Sequence, residues 1–245
     1  MRKPVSIVTV SYDTYFFVRL LVEKMRQFVG DRPYELIVVD RGSRDGTREW
    51  LGAQADVRLL TAKAQRRGHG HGEAAEGGIK EARYETIVLL DSDAHPIDPT
   101  WLELTADRLD SHHPLAGPIF HGMHEGNPQG WYIHPHFLTF RRADLGGLIK
   151  LQPTRPGFDT GEDATLLVLA AGLGVIGYPL EFAERFAVGH PFFPTVAAGV
   201  FHAWYGTRLL KEKRLVGRET EGAVTGASYR KPLQERLRQA YQLGY

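Results

Sequence analysis

The chain has 245 residues, of which 42% are hydrophobic, with 30 basic and 29 acidic side chains. This composition is ordinary for a globular protein with ample core, and the balanced charge argues against broad nucleic-acid binding. The absence of cysteine excludes disulfides, thiolate metal sites and cysteine nucleophiles.

The opening segment MRKPVSIVTVSYD contains an apolar run of only strand length, so we predict no signal peptide. The most apolar later stretch, TLLVLAAGLGVIGYPL, is too short and too rich in glycine to be an integral membrane segment. We therefore expect a soluble cytoplasmic protein.

The first ninety residues alternate strand-like and helix-like segments. The strand-like segments are VSIVTVSY, ELIVVD, VRLLTA and TIVLLD, and the helix-like segments are YFFVRLLVEKMRQFV, GSRDGTREWLGAQ and GEAAEGGIKEARY. This alternation predicts right-handed crossovers and a mostly parallel sheet, in which ligands bind outside the carboxyl ends of the strands. Those ends carry Ser11, Tyr12, Asp40, Thr61, Asp91 and Asp93.

In the segment IVLLDSDAHPID, an apolar run typical of a buried strand is followed directly by two aspartates, Asp91 and Asp93. In extended backbone alternate side chains point the same way, so these carboxylates repel unless a cation or a proton lies between them. The alternative is a turn whose acids cap the next helix, but Asp98 and Pro99 already supply that start signal. With Asp40 at the same edge, three acids favour a cation-dependent site over a structural turn.

After residue 98 the alternation loosens. GWYIHPHFLTFRR predicts a proline-containing strand suited to an edge or a bend, and GEDATLLVLAAGLG predicts a helix ending at glycine. VFHAWYGTRLLKEKR predicts a helix. PLQERLRQAYQLGY predicts a final amphipathic helix with Leu233, Leu237, Ala240 and Tyr241 on one side. That helix could pack on its own domain or on a second copy, which leaves a homodimer open.

Five motifs follow one another along the chain: VSIVTVSY, ELIVVDRGSRDGT, RRGHGHGEAAEGGI, VLLDSDAHP and GFDTGEDATLLVLAAGLGV. In order and spacing they resemble family 2 glycosyltransferases over about residues 4–178. The resemblance implies one α/β domain of the GT-A type, Rossmann-like, with a mostly parallel central sheet, an irregular acceptor-side half and C-terminal helices. In residues 1–245, about 1–98 would bind the nucleotide sugar, about 99–205 the acceptor, and about 206–245 would form the helical tail.

The resemblance also implies an enzyme of the hexosyltransferase type. It would move a sugar from a UDP-, GDP- or dTDP-linked donor to a carbohydrate or other hydroxyl acceptor, with Mn²⁺ or Mg²⁺ as cofactor. Asp93 would be the more direct metal ligand, and Asp91 would reach the donor ribose or a water of the metal. Glu162 and Asp163 would supply the base of an inverting displacement, with Asp163 taking the acceptor proton. The further donor-binding residues it implies are Thr9, Ser11, Tyr12, Asp40, Gly68, Gly70 and Ser92.

Several of these residues have a structural alternative. Asp40 begins DRGSRDG, which is also a strand-end turn, and Thr160 with Asp163 forms a capping-box-like signal. Arg41 stands where similar proteins often have Asn, Asp or Glu, so the nucleotide base stays open. Trp131 and Tyr132 could stack on an acceptor sugar or belong to the core.

The histidines supply the remaining metal candidates. Related folds often draw a ligand from a C-terminal histidine, so His202, or His190, would join the carboxylates of a Mn²⁺ site; a packed or surface histidine is the alternative. His69 and His71 could bind metal, but they lack a clear third ligand, and solvated loop histidines are the alternative. A zinc site is also considered for four others, but their spacing matches no known zinc motif: His121, His124, His134 and His136. The basic residues after His202 would face a diphosphate or solvent: Arg208, Lys211, Lys213 and Arg214.

Two other functions stay open. One is a nucleotidyltransferase that makes nucleotide sugars, although such enzymes carry a glycine-rich, arginine-containing signature where this chain has SYDTYFFVRLL. The other is a non-catalytic protein that binds nucleotide sugars or metal, against which the acidic pair at 162–163 argues.

Overall fold

The structure is a computed structural model, and it describes residues 2–62, 70–122, 127–145, 151, 159–186, 194–204 and 226–245. The first half contains β1 (Val5–Ser11), α1 (Tyr15–Phe28), β2 (Tyr34–Asp40), α2 (Thr47–Gly52), β3 (Val57–Thr61), α3 (Gly70–Glu81) and β4 (Thr86–Asp91). Their strands pair in parallel in the order β3-β2-β1-β4. The predicted strand–helix alternation is therefore confirmed.

The second half begins with β5 (Ala94–Pro96), α4 (Trp101–Leu104), β6 (Leu115–Phe120), β7 (Tyr132–Ile133), β8 (Phe137–Arg141) and α5 (Arg142–Leu145). It continues with α6 (Thr160–Ala170), β9 (Val175–Tyr178), β10 (Glu181–Phe182), β11 (Thr195–Ala197), β12 (Val200–His202) and α7 (Gly226–Tyr241). β8 extends the central sheet antiparallel to β4, and β6, β7 and β9 complete it. β10, β11, β12 and β5 form a second, smaller sheet.

The parallel strands bring their carboxyl ends to one edge. Ser11 lies opposite Asp40, Asp40 lies opposite Thr61, and Val10 lies opposite Asp91. Because β1 is buried on both faces, its apolar run has no exposed side, and a shift of register would misplace every side chain. The predicted convergence of the acids at this edge is confirmed.

The segment GWYIHPHFLTFRR forms two strands rather than one. β7 and β8 are separated by a bend at His134–His136, and Pro135 lies within that bend. β8 then runs through the interior of the central sheet, between β4 and β6. The bend was predicted, but the interior position of the following strand was not.

The prediction of a helix over VFHAWYGTRLLKEKR is wrong at its start, because residues 200–202 form β12. β12 pairs with β11 through a two-residue turn at Ala198 and Gly199, whose φ angles are 47° and 74°. Positive φ at both turn positions matches the right-handed twist of a hairpin. A side chain at Gly199 would also come within 2.8 Å of the Asp98 side chain. Residues 205–214 lie outside the described part of the chain.

The final helix packs on its own domain. Leu233 and Leu237 are fully buried in a cluster with Phe17, Leu20 and Phe186. Ala240, predicted for the same face, is exposed. The apolar stripe of α7 is thus covered within one copy of the chain. No helix within the described ranges has both the length and the apolar character needed to cross a membrane.

We expect Asp107→Ala to lower the free energy of unfolding by about 3 kcal/mol, because it leaves a buried guanidinium without its counter-charge. Arg32 is 3% exposed and donates to both carboxylate oxygens of Asp107, at 2.9 and 2.6 Å. Chemical denaturation measures the loss. The control is Asp31→Ala, which removes only an exposed partner of Arg2 and should change stability by about 0.5 kcal/mol or less. Equal stability of the two variants would contradict the assigned role of this ion pair.

Candidate metal and donor site

Asp91 and Asp93 lie where the chain passes from the central sheet to the smaller sheet. β4 ends at Asp91, and β5 begins at Ala94. The backbone is fixed on both sides of this crossing: the N–H of Asp91 donates to the carbonyl of His136 at 2.9 Å, and the N–H of Ala203 donates to the carbonyl of Asp93 at 3.1 Å. The backbone at the two acids is therefore fixed by segments that adjoin two different sheets, the bend before β8 and the residue after β12.

His202 reaches the acids through strand pairing. β12 runs antiparallel to β5, and His202 lies opposite Ala94. Its Nε2 is 3.5 Å from Asp93 Oδ1 and 3.7 Å from Asp91 Oδ2. One ligand atom from each of the three residues lies within 4.8 Å of the others.

The three side chains of the cluster are suitable ligands for a divalent cation. Two carboxylates and one imidazole offer the oxygen and nitrogen ligands that divalent metal ions take in proteins. Asp93 and His202 are buried, whereas the Asp91 side chain is 34% exposed. A cation bound here would therefore be accessible from the Asp91 side, where solvent or a further ligand could reach it.

His71 lies on the other side of Asp91. Its Nε2 is 3.6 Å from Asp91 Oδ1, while Oδ2 faces His202. The imidazole is 58% exposed and belongs to the first turn of α3. The glycine-rich motif therefore contacts Asp91 through the side chain of His71.

A cluster of rings lies behind His202. The His136 ring stacks on it with centroids 4.0 Å apart and planes 6° apart, and the Trp204 ring is 4.9 Å away. Burial, aided by the neighbouring His202 and His134, holds the pKa of His136 well below its usual range, so this ring is neutral. Trp204 has a φ of 52°, an unusual conformation for a bulky residue, and its Nε1–H donates to Thr195 Oγ1 at 2.7 Å.

Asp40 organises a turn at the end of β2. Its carboxylate accepts from the N–H of Gly42 at 2.9 Å, from the N–H of Ser43 at 3.1 Å and from the Ser43 hydroxyl at 2.5 Å. The turn interpretation of DRGSRDG is thus confirmed, and contact with a nucleotide base stays a prediction. Arg41 lies against Gly70, where a Cβ atom would come within 2.1 Å of Nη2. Because Gly70 has no side chain, the guanidinium of Arg41 can occupy this position.

The other predicted donor residues lie at or beside the same edge. The hydroxyls of Thr9 and Ser92 are buried and have no hydrogen-bond partner among the described residues. The Ser11 hydroxyl pairs with that of Thr14 at 2.9 Å, and Tyr12 is exposed. Eight candidate residues lie outside the described part of the chain: Gly68, His69, His124, His190, Arg208, Lys211, Lys213 and Arg214.

The acidic pair opens α6, as predicted, and both side chains are buried. The N-cap of this helix is Asp159, whose carboxylate accepts from the N–H of Gly161 at 3.1 Å. Thr160 instead donates its hydroxyl to the carbonyl of Leu151 at 2.9 Å, so the capping interpretation of Thr160 is wrong.

α6 approaches β7 very closely. A Cβ atom at Gly161 would lie 1.9 Å from the carbonyl oxygen of Ile133, so only glycine fits there. The N–H of Ile133 also donates to Thr165 Oγ1 at 2.9 Å. The acidic turn of α6 is therefore fixed to the strand that leads into the His134–His136 bend.

Asn127 is a site residue that the sequence does not predict. Its Nδ2 donates to Glu162 Oε1 at 2.6 Å inside the protein. The two residues are 35 positions apart, and no local pattern links them. This contact joins the loop before β7 to the acidic pair.

Trp131 and Tyr132, predicted on the acceptor side, lie in this region. Tyr132 is 3% exposed and packs between Phe120 and His134. Burial, with Asp159 and Glu162 nearby, raises the pKa of its phenol. Trp131 is half-buried against the core. Stacking of either ring on a sugar stays a prediction.

Solved structures share this fold. The mannosyltransferase PcManGT from Pyrobaculum calidifontis, in complex with GDP-Man and Mn²⁺, matches with a TM-score of 0.53 and 21% identity over 73% of this chain and 55% of its own. Glucosyl-3-phosphoglycerate synthase from Mycobacterium tuberculosis, in complex with Mn²⁺, UDP and phosphoglyceric acid, matches with a TM-score of 0.52 and 19% identity over 72% and 68%. The present chain spans little more than half the length of the mannosyltransferase.

These likenesses, the strand order and the acids at the carboxyl edge define an α/β protein of the GT-A type. The family described as glycosyl transferase family 2 matches residues 6–158, which is more than half of the chain. The chain belongs to glycosyl transferase family 2, as its five motifs predicted.

Proposed function

We propose that the protein is a metal-dependent glycosyltransferase that moves a sugar from a nucleoside diphosphate to an acceptor hydroxyl, with inversion at the anomeric carbon. The observation that carries this proposal is the cluster of Asp91, Asp93 and His202 at the carboxyl edge of the sheet of a family 2 chain. Ligands of parallel sheets bind at that edge.

Asp93 and His202 would hold the cation from the buried side, and Asp91 would hold it from the exposed side. When bound, Mn²⁺ or Mg²⁺ supplies positive charge that stabilises the departing diphosphate. Without a cation, the two carboxylates would repel each other. This repulsion is the physical reason to expect a bound cation there.

Asp163 would act as the general base. It would accept the proton of the acceptor hydroxyl while the hydroxyl oxygen bonds to the anomeric carbon and the diphosphate leaves with the bonding electrons. Asp163 lies in the first turn of α6, next to the end of the helix towards which the backbone N–H groups point. The contact between Asn127 and Glu162 would keep this turn in place.

The nucleotide would lie against the turn that Asp40 organises, with Arg41 above the start of α3. A guanidinium only donates hydrogen bonds, so Arg41 would meet base carbonyls or phosphate oxygens rather than base N–H groups. UDP-, GDP- and dTDP-linked sugars all offer such acceptors. The contact with Arg41 is therefore compatible with all three nucleotides, and the donor panel below distinguishes them.

A panel of UDP-, GDP- and dTDP-sugars with Mn²⁺ or Mg²⁺, scored by nucleotide release, tests this function. We expect one donor to be turned over, and we expect a chelator to lower that rate by about 1,000-fold, since the cation supplies several kcal/mol to the barrier. Full activity in excess chelator would contradict the metal site.

The same panel separates the rival functions. Release of pyrophosphate from a nucleoside triphosphate and a sugar phosphate would identify a nucleotidyltransferase. Tight donor binding without hydrolysis or transfer, across a range of hydroxyl acceptors, would identify a non-catalytic binding protein.

A further inference from the structure

We propose that His136 is a positioning residue that sets the geometry of two metal ligands, His202 through its ring and Asp91 through its backbone. This inference rests on the proposed metal site. His136 is 1% exposed and would not contact the cation or the substrates itself. It would act only through the two ligands.

The first contact is the ring stack. The imidazoles of His136 and His202 are parallel to within 6°, at a centroid distance of 4.0 Å. A metal-binding histidine is usually fixed by a hydrogen bond from its second ring nitrogen. Nδ1 of His202 is buried and has no such partner among the described residues. The flat face of His136 therefore provides the constraint that this hydrogen bond would otherwise provide.

The second contact is made by the backbone. The carbonyl of His136 accepts from the N–H of Asp91 at 2.9 Å. This bond ties the bend between β7 and β8 to the last residue of β4. One residue thus touches ligands that belong to two different sheets.

The plane of the His136 ring is itself fixed. Its Nδ1 lies 2.7 Å from Nδ1 of His134, and its backbone N–H also approaches that atom, at 3.3 Å. Trp204 lies beside His134, His136 and His202 and limits rotation of these rings. The stack is therefore part of a packed group rather than an isolated contact.

Two variants separate the flat ring from the space it fills. His136→Phe keeps a flat ring, whereas His136→Leu fills similar space without one, and both remove the buried nitrogens. Mn²⁺ affinity is measured without donor, by electron paramagnetic resonance of the free ion. We expect about tenfold weaker binding in His136→Leu and a change of about threefold or less in His136→Phe. The surface control His112→Leu should match the unmodified protein.

A double-mutant cycle excludes a general loss of structure. In a His202→Ala background the stacking partner is absent, so His136→Leu should cause no further loss of Mn²⁺ affinity. Equal affinity of His136→Leu and the unmodified protein, an equal loss in both His136 variants, or an additive loss in the cycle would overturn the proposal. If His136→Leu fails to fold, His136→Met, which also fills the space without a ring, takes its place: about tenfold weaker Mn²⁺ binding would support the proposal, and unchanged affinity would overturn it.

The outcome also distinguishes this inference from the proposed function. If the unmodified protein binds Mn²⁺, Asp93→Ala abolishes binding and His136→Leu does not weaken it, only the positioning role fails. If the unmodified protein binds no Mn²⁺, the metal site and the positioning role fail together.

Discussion

Asp93→Ala is expected to lower the rate of sugar transfer by about 1,000-fold or more and to remove metal-dependent donor binding. Asp93 is 2% exposed and its Oδ1 is 3.5 Å from His202 Nε2, so its loss would take the central carboxylate out of the cluster. The departing diphosphate would then lose charge stabilisation of several kcal/mol, and each 1.4 kcal/mol is about a tenfold change in rate. Steady-state turnover of the active donor and calorimetry of the nucleoside diphosphate with Mn²⁺ measure the two effects.

The matched control for this substitution is Asp110→Ala. Asp110 is also an aspartate, but its side chain is 58% exposed and contacts His113 rather than a residue of the Asp91, Asp93 and His202 cluster. We expect its turnover to stay within about twofold of the unmodified protein. An Asp93→Ala enzyme that still binds nucleotide only in the presence of Mn²⁺ would show that other residues hold the cation.

The first half of the fold was predictable because its signals are local. β1, β4 and most of β2 are buried apolar runs, and each of the first three strands is followed by a helix. Once the strands are parallel, their carboxyl ends must share an edge. Parallel pairing alone therefore predicts that Asp40 and Asp91 lie at the same edge of the sheet.

The position of His202 was not predictable in the same way. β11 and β12 have three residues each, too few for a periodic pattern, and their turn at Ala198 and Gly199 lacks the Asn-Gly or Asp-Gly signal of such hairpins. The alanines around the turn favour a helix instead. The sequence could name His202 as a candidate ligand, but only strand pairing with β5 shows how it reaches Asp93.

The partners of the candidate residues were missed for a related reason. Asn127 meets Glu162, and His136 meets His202, through contacts between segments far apart in the chain. Such pairs depend on the order of strands in the second half, where β8 lies between β4 and β6. Neither propensity nor spacing encodes that order, so the residues that hold the site in place emerge only from the structure.

Asp163→Asn is expected to lower the rate of transfer by about 100- to 10,000-fold and to leave Mn²⁺ and donor binding within about twofold of the unmodified protein. The amide has the size of the carboxylate but cannot accept the proton of the acceptor hydroxyl at neutral pH. The backbone N–H of Asp163 donates to the carbonyl of Asp159, so the substitution leaves the first turn of α6 intact. Single-turnover kinetics and calorimetry separate the chemical step from donor binding.

Asp159→Asn is the matched control, because it removes the same charge from the same end of α6. Asparagine caps a helix about as well as aspartate, so the fold should persist, and turnover should stay within about threefold. A large loss in both variants would point to the charge of the helix start rather than to a base. If Asp163→Asn instead keeps turnover within tenfold of the unmodified protein, Asp163 is not the base, and a retaining mechanism becomes the better hypothesis.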